Sequence, residues 1–287
     1  MQKDTLRSVI YTKIDELPTL PAVVPRILSL MQDPGTDTRR ITEAISNDPA
    51  MTSKILKVAN SAYYGFPQKI TSLDRAVALL GFNMVKSLAL SVGVIRSLPS
   101  PALSGLFDIR SLWVHSLAVA TAMRALAEDL GKVGEIESLF IVGLLHDLGK
   151  VLLAEFFPEE FGRALQSTDA ETPLDRAERN VIGMDHGQVG GMLLSRWKFP
   201  QVIVTAVSTH HLPGDQCIEW VEERAILLMA DSLAREIGIG DSGNRSGPSI
   251  PPDCKEATRV EQQSLNKARR ELSRAREGIE GFFEALR

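Results

Sequence analysis

The chain has 287 residues, of which 44% are hydrophobic and 24% are charged, and this balance is typical of a soluble globular protein of one or two domains. Its formal net charge of −4 provides no overall attraction to nucleic acid or to an anionic membrane. The N-terminal residues are polar where a signal peptide would be apolar, and the longest apolar runs are too short to span a membrane. The two cysteines, Cys217 and Cys254, form no recognisable framework, so we expect a reducing, cytoplasmic environment.

Residues 1–100 are predicted to form a compact helical module. Asp48 is placed to cap a helix that begins at the following proline. Ser72 can cap a second helix that ends at Gly81, and an apolar helix is predicted from Met84 to Leu98. Caps and breaks at these positions indicate several short helices that pack together rather than one long helix.

Three further segments follow this module. Residues 101–240 are predicted to form a bundle of long, buried helices that holds every histidine of the chain. Residues 241–254 have the Gly, Ser and Pro content of a flexible loop, and residues 255–287 have the pattern of an amphipathic helix. Strand-like alternation of polar and apolar residues is absent, so we predict an all-α fold in which the N-terminal module packs on the bundle.

The last segment has an apolar seam whose residues alternate spacings of three and four. The seam consists of Leu265, Ala268, Leu272, Ala275, Ile279, Phe282 and Leu286. Such a seam pairs with a second helix of its own kind or docks along a groove. Because its two alanines would make a weak self-paired coil, we expect packing on the body of the same chain; the oligomeric state stays open.

The bundle contains five histidines and two carboxylates whose positions suit metal ligation. These residues are His115, His146, Asp147, His186, His210, His211 and Asp231. Most of them lie in apolar stretches, where an ionisable group is costly unless it is paired or bound to a metal. Ligation of metal by this set is therefore our hypothesis for the site.

Each of these side chains also has a purely structural interpretation. His115 lies in a helix that is apolar nearly all round, where a histidine is usually hydrogen-bonded within the core. His146 and Asp147 could bond to each other. Asp185 and Gln188 can form a capping pair, which would place His186 at the start of a surface helix. The adjacent pair of histidines could favour a helix C-terminus through the helix dipole. Asp231 has the weakest structural explanation, because a carboxylate in an apolar run needs a partner.

The seven candidate ligands are too many for one tetrahedral ion and suit two ions that share a bridging carboxylate. Histidine and aspartate ligands without cysteine favour Fe, Mn, Zn or Ni over a structural zinc. We therefore predict one or two divalent transition-metal ions.

The ligand pattern resembles the HD superfamily of metal-dependent phosphohydrolases. The resemblance is carried by the string Leu-His-Asp-Leu-Gly-Lys at 145–150, with one histidine upstream and the others downstream. The order of ligands is most similar to the HD-GYP branch. However, Leu212-Pro-Gly follows the paired histidines where that branch has its GYP motif, and Ser111 replaces a glutamate often found one turn before the first histidine.

Motifs in the first half of the chain are similar to those of the HDOD (HD-related output) domain. They include Leu-Pro-Thr-Leu-Pro-Ala at 17–22, Asn-Asp-Pro at 47–49 and Trp-Lys-Phe-Pro at 197–200, and the resemblance covers roughly residues 15–240. It implies that the helical module packs on a helical bundle of the HD superfamily. It also implies a signal-transduction output module that keeps its metal site and acts mainly through contacts with a signalling protein.

Two alternative functions stay open. The first is a metal-dependent phosphohydrolase or phosphodiesterase acting on a nucleotide or another phosphoester. Asp147 and the imidazoles would hold the ions, and Lys150 would offset charge on the phosphoryl oxygens. No run of basic residues marks a substrate pocket, so substrate-binding residues are not identified. The second, DNA binding through residues 72–98, is disfavoured because the second helix of that pair is nearly all apolar.

Overall fold

The computed structural model describes residues 3–17, 19–33, 35–99, 107–132, 134–216 and 219–286. This described part of the chain is helical and contains no β-strand, which confirms the predicted all-α fold. The chain divides into two compact units. The large unit comprises residues 1–17 and 99–273, and the small unit comprises residues 18–98 and 274–287.

The helices of the described chain are numbered in order. The first eight are α1 (Lys3–Glu16), α2 (Val23–Gln32), α3 (Thr38–Ser46), α4 (Pro49–Ala59), α5 (Leu73–Leu80), α6 (Phe82–Ser97), α7 (Ile109–Asp129) and α8 (Ile136–Leu145). The others are α9 (Leu148–Phe156), α10 (Pro158–Gln166), α11 (Leu174–Val181), α12 (His186–Arg196), α13 (Gln201–Thr209), α14 (Val221–Ile237), α15 (Pro252–Thr258) and α16 (Gln262–Leu286).

The small unit begins its helices at the predicted caps. The Asp48 carboxylate accepts a hydrogen bond from the main-chain N–H of Met51 at 2.9 Å, and Ser72 Oγ accepts one from Arg75 at 3.2 Å. Gly81 has a φ of +84° in the sharp turn between α5 and α6, a conformation that favours glycine. The local sequence therefore determines where α4 and α5 begin.

Helix α6 is buried on most of its faces in the small unit, where it packs against α2, α4 and α5. Between Met84 and Val94 only Lys86 is even partly exposed. A helix enclosed in this way offers little surface to a DNA groove. Among the described residues, no single helix is long and apolar enough to cross a membrane; α5 and α6 meet that test only together, and they are bent by 118°.

The large unit is built around α7, which packs against α8 and α14. As predicted, α7 is buried over nearly all of its length. Gly143 allows the close approach of α8, because a Cβ at this position would lie 2.6 Å from the Cα of Ala120. Helix α12 packs on α9 and α13, so the helices that carry the histidines surround one core.

Helix α1 belongs to the large unit, although the sequence analysis grouped it with residues 1–100. The guanidinium of Arg196 in α12 donates hydrogen bonds to the main-chain carbonyls of Asp15 and Leu17 at 2.6 and 3.1 Å. These bonds hold the end of α1 against α12. Because they join residues about 180 positions apart, local patterns could not reveal this assignment.

The C-terminal segment differs from the single helix predicted for residues 255–287. It consists of α15 and α16, with a break at Arg259, whose φ is +55°. The seam residues Leu265, Ala268, Leu272, Ile279 and Phe282 are buried, Ala275 is partly exposed, and the Leu286 side chain lies outside the described residues.

Helix α16 packs on the same chain, as the sequence analysis expected. In the large unit, Lys267 pairs with Asp129 at 2.9 Å and Arg269 pairs with Glu236 at 2.7 Å. In the small unit, a Cβ at Gly278 would lie 2.8 Å from the Cα of Tyr63. The seam is therefore covered without a second copy of the chain.

The loop after α14 ends at α15, slightly earlier than the predicted 241–254. Hydrogen bonds tie it to three other elements: Ser242 O accepts from Lys150 at 2.9 Å, Asn244 Oδ1 accepts from the N–H of Leu174 at 3.2 Å, and Arg235 donates to Ser246. The mobility of this loop stays a prediction, which limited proteolysis would test. The hydrogen bonds above favour an ordered loop instead.

Candidate metal centre

The structure brings all seven candidate ligands together in the large unit. His115, His146 and Asp231 form one group, here called the first triad, and His186, His210 and His211 form the second triad. Within each triad the potential ligand atoms lie within 4.8 Å of one another. Each triad therefore has the spacing needed to hold one metal ion.

Asp147 lies between the two triads. Its Oδ2 atom is 3.4 Å from His146 Nε2 and 4.0 Å from His115 Nε2 in the first triad. Its Oδ1 atom is 3.1 Å from His186 Nε2 in the second triad. One carboxylate that faces both triads has the position of a bridging ligand, as predicted for a two-ion site.

The ligands come from the ends and middles of separate helices. His115 lies within α7 and Asp231 within α14, while His146 and Asp147 form the turn between α8 and α9. His186 is the first residue of α12, and the paired histidines follow the end of α13. The site therefore depends on the packing of five structural elements.

The start of α12 has the predicted capping pair. Asp185 accepts a hydrogen bond from the N–H of Gln188 at 2.9 Å, and Gln188 Oε1 accepts one from the N–H of Asp185 at 3.1 Å. The cap places His186 in the first turn, but His186 is buried and is not at the surface. The surface interpretation of this residue is therefore wrong.

Two of the histidine rings are held through Nδ1 by main-chain carbonyl oxygens. His146 Nδ1 lies 2.8 Å from the carbonyl oxygen of Gly143, and His210 Nδ1 lies 2.6 Å from that of Val207. A carbonyl oxygen can only accept, so Nδ1 carries a proton in both rings. This is the arrangement in which histidine presents Nε2 to a metal.

Unsatisfied nitrogen atoms in the core argue against a purely structural histidine cluster. The Nε2 atoms of His115 and His210 are buried and make no hydrogen bond. His115 Nε2 is 3.0 Å from Asp231 Oδ1, but the two atoms are not aligned for a hydrogen bond. Buried polar atoms without partners are uncommon in proteins, and a metal ion would satisfy both nitrogens. The residues present thus fit a metal centre.

The two triads differ in their electrostatic state. Burial disfavours the charged form of His186, but the carboxylate of Glu178 outweighs burial and raises the pKa of His186 to about 9. Burial would raise the pKa of Asp147, but the charges of His146 and Lys150 hold it well below its ordinary value. Asp147 is therefore ionised, and a metal that binds His186 at neutral pH must displace a proton.

Lys150, the predicted catalytic lysine, is buried in an ion pair. Its Nζ atom donates to Asp147 Oδ2 at 2.7 Å and to the carbonyl oxygen of Ser242 at 2.9 Å. The side chain is buried and does not extend to solvent. In this position Lys150 orients Asp147 and neutralises its charge.

Glycines allow the backbone to approach the ligands closely. A Cβ at Gly149 would lie 1.9 Å from the main-chain oxygen of His186, and one at Gly240 would lie 2.2 Å from the main-chain nitrogen of His115. Both contacts join segments that are distant in sequence. Tertiary packing therefore requires glycine at both positions, in addition to any requirement of the local backbone conformation.

Gly149→Ala is expected to lower the free energy of unfolding by about 1–3 kcal/mol, because the added methyl group overpacks the α9–α12 contact. It should also reduce the metal content, since α12 must shift away together with His186. Thermal unfolding and elemental analysis would measure both effects. Gly134→Ala is the matched control, because nothing lies within 4 Å of a Cβ there. Equal stability and metal content in the two variants would contradict this prediction.

Two buried acids next to the site, Glu178 and Asp175, were not identified from the sequence. Glu178 in α11 is completely buried, and its Oε2 atom lies 2.7 Å from Nδ1 of His186. Its neighbours along the chain are Ala177 and Arg179, in a helix whose charged residues suggest a solvated face. No local signal distinguishes Glu178 from an exposed glutamate, so only the structure identifies it.

A cavity of about 560 Å³ adjoins the paired histidines. Its lining includes His210, His211, Asp175, Asp253 and Arg224. The Arg224 guanidinium lies 3.7 Å from the Asp253 carboxylate and donates to the main-chain carbonyls of two further residues. The cavity thus presents two carboxylates and one arginine whose charge is already engaged.

The one cysteine that the structure describes, Cys254, is not among the candidate ligands. Cys254 is a buried free thiol in α15, and burial raises its pKa to about 11. Cys217 lies outside the described residues.

The fold and the site define a class: an all-helical protein with a buried His/Asp centre suited to two metal ions. Comparison with known proteins identifies the family, because the family model of the HDOD domain matches residues 17–213. The chain belongs to the HDOD domain family, as the sequence motifs predicted.

The chain is also similar to a protein of a spirochaete. An uncharacterised protein of Treponema pallidum (strain Nichols) is 28% identical over 212 residues, which cover 73% of this chain and 40% of that protein. This chain therefore spans less than half of the relative's length.

Solved structures show the same fold. A candidate phosphohydrolase from Shewanella amazonensis SB2B has a TM-score of 0.75 at 22% identity, covering 97% of this chain and 98% of that one. A candidate signal transduction protein from Marinobacter aquaeolei VT8 has a TM-score of 0.78 at 20% identity, covering 99% of this chain and 66% of that one. At these identities the similarity concerns the fold alone.

Proposed function

We propose that this HDOD protein is a signal-transduction output module that retains a two-ion metal centre and acts mainly through contacts with a protein partner. The observation that carries the proposal is the pair of buried triads joined by Asp147, with unsatisfied Nε2 atoms that point to metal. His115, His146 and Asp231 would hold one ion, the second triad would hold the other, and Asp147 would contact both.

A regulatory role is supported by the number of elements that the centre connects. Ligands come from α7, the α8–α9 turn, α12, the end of α13 and α14. Metal binding would therefore hold these elements in one arrangement, and metal loss would release them. A bundle whose packing depends on its metal state is suited to signalling through its surface.

The surroundings of the centre favour this role over hydrolysis of a phosphoester. The cavity beside the second triad is lined by Asp175 and Asp253, and these carboxylates pair with Arg179 and Arg224. The charges of Arg224 and Lys150 are already engaged by acceptors of the protein. An anionic substrate would have to rely on the metal ions themselves for attraction.

A metal-dependent phosphohydrolase is the second candidate, and the complete ligand set favours it. Bound divalent ions would supply Lewis-acid activation of a phosphoester. Among the residues of the chain, Asp147 and the triads would position the ions, and Lys150 would keep Asp147 ionised and oriented. The arginine that lines the cavity is already paired, so a phosphoester would be held chiefly by the metal ions.

One experiment separates the two candidates. Protein purified without chelator would be analysed for Fe, Mn, Zn and Ni, loaded with each metal, and assayed with phosphomonoesters, nucleotides and cyclic dinucleotides. We expect about one to two ions per chain, as for a two-ion site, and no turnover above that of the metal-free protein. Turnover that disappears in Asp147→Ala would instead establish the hydrolase.

The regulatory role predicts a change in the bundle itself. Hydrogen exchange should slow in α7, α12 and α14 when the metal-free protein is loaded, because the ions join these helices. Identical exchange in the two states would argue that metal does not control the arrangement of the bundle.

A further inference from the structure

We propose that α11 is a brace that prepares the second triad for its ion independently of the first, with Glu178 as the positioning residue for His186. The inference rests on the metal-binding part of the proposed function. It adds that the two metal positions are built unequally and that α11, which supplies no ligand, determines occupancy of one of them.

The contact of Glu178 with His186 determines the orientation of the ring. One carboxylate oxygen, Oε2, lies 2.7 Å from Nδ1 and accepts the main-chain N–H of the same histidine at 2.8 Å. Two bonds from one residue to one acceptor leave the imidazole little freedom to rotate. They also place the proton on Nδ1, so Nε2 faces Asp147 and the rest of the second triad.

The next residue of α11 holds the start of α12. The Arg179 guanidinium pairs with Asp185, the residue that caps α12, and also with Asp175 one turn earlier in α11. Asp175 in turn has its Oδ1 atom 3.9 Å from His211 Nδ1. Three residues of one short helix thus act on two members of the second triad.

The histidines of the first triad have no comparable support, although Arg235 pairs with the candidate ligand Asp231 at 3.6 Å. The carboxylates within 4 Å of His115 or His146, in the part of the chain that the structure describes, are Asp147 and Asp231. Both are themselves candidate ligands. The ring of His146 is held by a carbonyl of its own helix turn. The first triad therefore depends on its ion and on Asp147, whereas the second is oriented before any ion binds.

Substitutions at Glu178 test this inference. Glu178→Met removes the acceptor at similar volume, whereas Glu178→Gln keeps an oxygen that can accept from Nδ1 and loses only the charge. Glu160→Gln is the matched control, because Glu160 lies in neighbouring α10 and pairs with Arg163 at 3.5 Å, away from the histidines. The probes are Mn²⁺ and Zn²⁺ alone, with bound metal measured by elemental analysis and calorimetry.

The expected result is a loss of one ion only. Wild type and Glu160→Gln should bind about two ions, and Glu178→Met about one. Glu178→Gln should keep both, with the dissociation constant of the weaker ion raised about 10-fold, at the low end for loss of a partner to a ligating histidine. In the zinc-loaded proteins, nitrogen-15 NMR should show His186 with its proton on Nδ1 and its Nε2 bound to the ion in wild type and Glu178→Gln, and free of metal in Glu178→Met.

Three other outcomes would overturn the brace. If Glu178→Met binds two ions as tightly as wild type, the brace is overturned although the metal centre stands. If wild type binds no metal, the metal part of the proposed function fails and the brace fails with it. If wild type binds one ion that survives His210→Ala, the second triad is empty despite α11, and the brace is overturned.

If Glu178→Met fails to fold, Arg179→Met provides a second test of the brace. The Arg179 side chain is partly exposed, so its loss leaves the core packed. It should weaken binding of the second ion while leaving the first unchanged, and equal affinities for both ions would contradict the brace.

Discussion

Replacing Asp147 with alanine is expected to remove nearly all bound metal and to lower the free energy of unfolding by about 3–5 kcal/mol, the usual cost of breaking a buried ion pair. The metal is lost because Asp147 is the one candidate ligand that faces both triads. Stability falls because the buried ammonium group of Lys150 loses its carboxylate partner. Elemental analysis and chemical denaturation of the metal-free protein measure the two effects separately.

A double variant identifies the source of the instability. Asp147→Ala with Lys150→Met removes both charges, so it should recover part of the lost stability while still binding no metal. Asp74→Ala, at an exposed position of the small unit, serves as the control. Full metal content in Asp147→Ala would rule out the bridging role, and unchanged stability would show that Lys150 finds another acceptor.

Leu272→Asp is expected to lower the free energy of unfolding by at least about 4 kcal/mol. Loss of a fully buried leucine side chain alone costs about 2–5 kcal/mol, and the buried carboxylate adds a desolvation cost. Leu272 is 0% exposed in the α16 seam. Because the seam packs on its own chain, the mass in solution should not change. Thermal unfolding and sedimentation velocity test the two statements.

Ser273→Asp is the matched control for this substitution. It introduces the same charge one residue further along α16, at an exposed position. Its stability should stay close to that of the wild type, since surface substitutions usually change stability by less than about 0.5 kcal/mol. If the wild type sediments as a dimer and Leu272→Asp is a stable monomer, α16 is an oligomerisation helix and own-chain packing is wrong.

Local patterns predicted the features that depend on a few neighbouring residues. The caps at Asp48, Ser72 and Asp185 were predicted because a capping side chain bonds to an N–H two or three residues away. The buried character of α7 followed from its apolar residues alone. The break at Arg259 was missed, because a single residue in the left-handed conformation leaves no pattern in the sequence.

The candidate site also contains residues that the sequence predicted and residues that only the structure identified. Its seven candidate ligands were predicted from the sequence because ionisable groups in apolar runs are visible without a structure. Glu178 was missed because its burial depends on how α11 packs near α12. The hydrogen bond from Lys150 to the carbonyl oxygen of Ser242 was missed because 92 residues separate the two positions.

By itself, the sequence determined the helical class, the family and the residue types available for metal binding, since each depends on local composition or on motifs in order. The tertiary structure decided which histidines share a triad, that Asp147 faces both, and that α11 supports only one. Those properties depend on distances of a few ångströms between helices, and such distances are determined by side-chain packing among residues far apart in the chain.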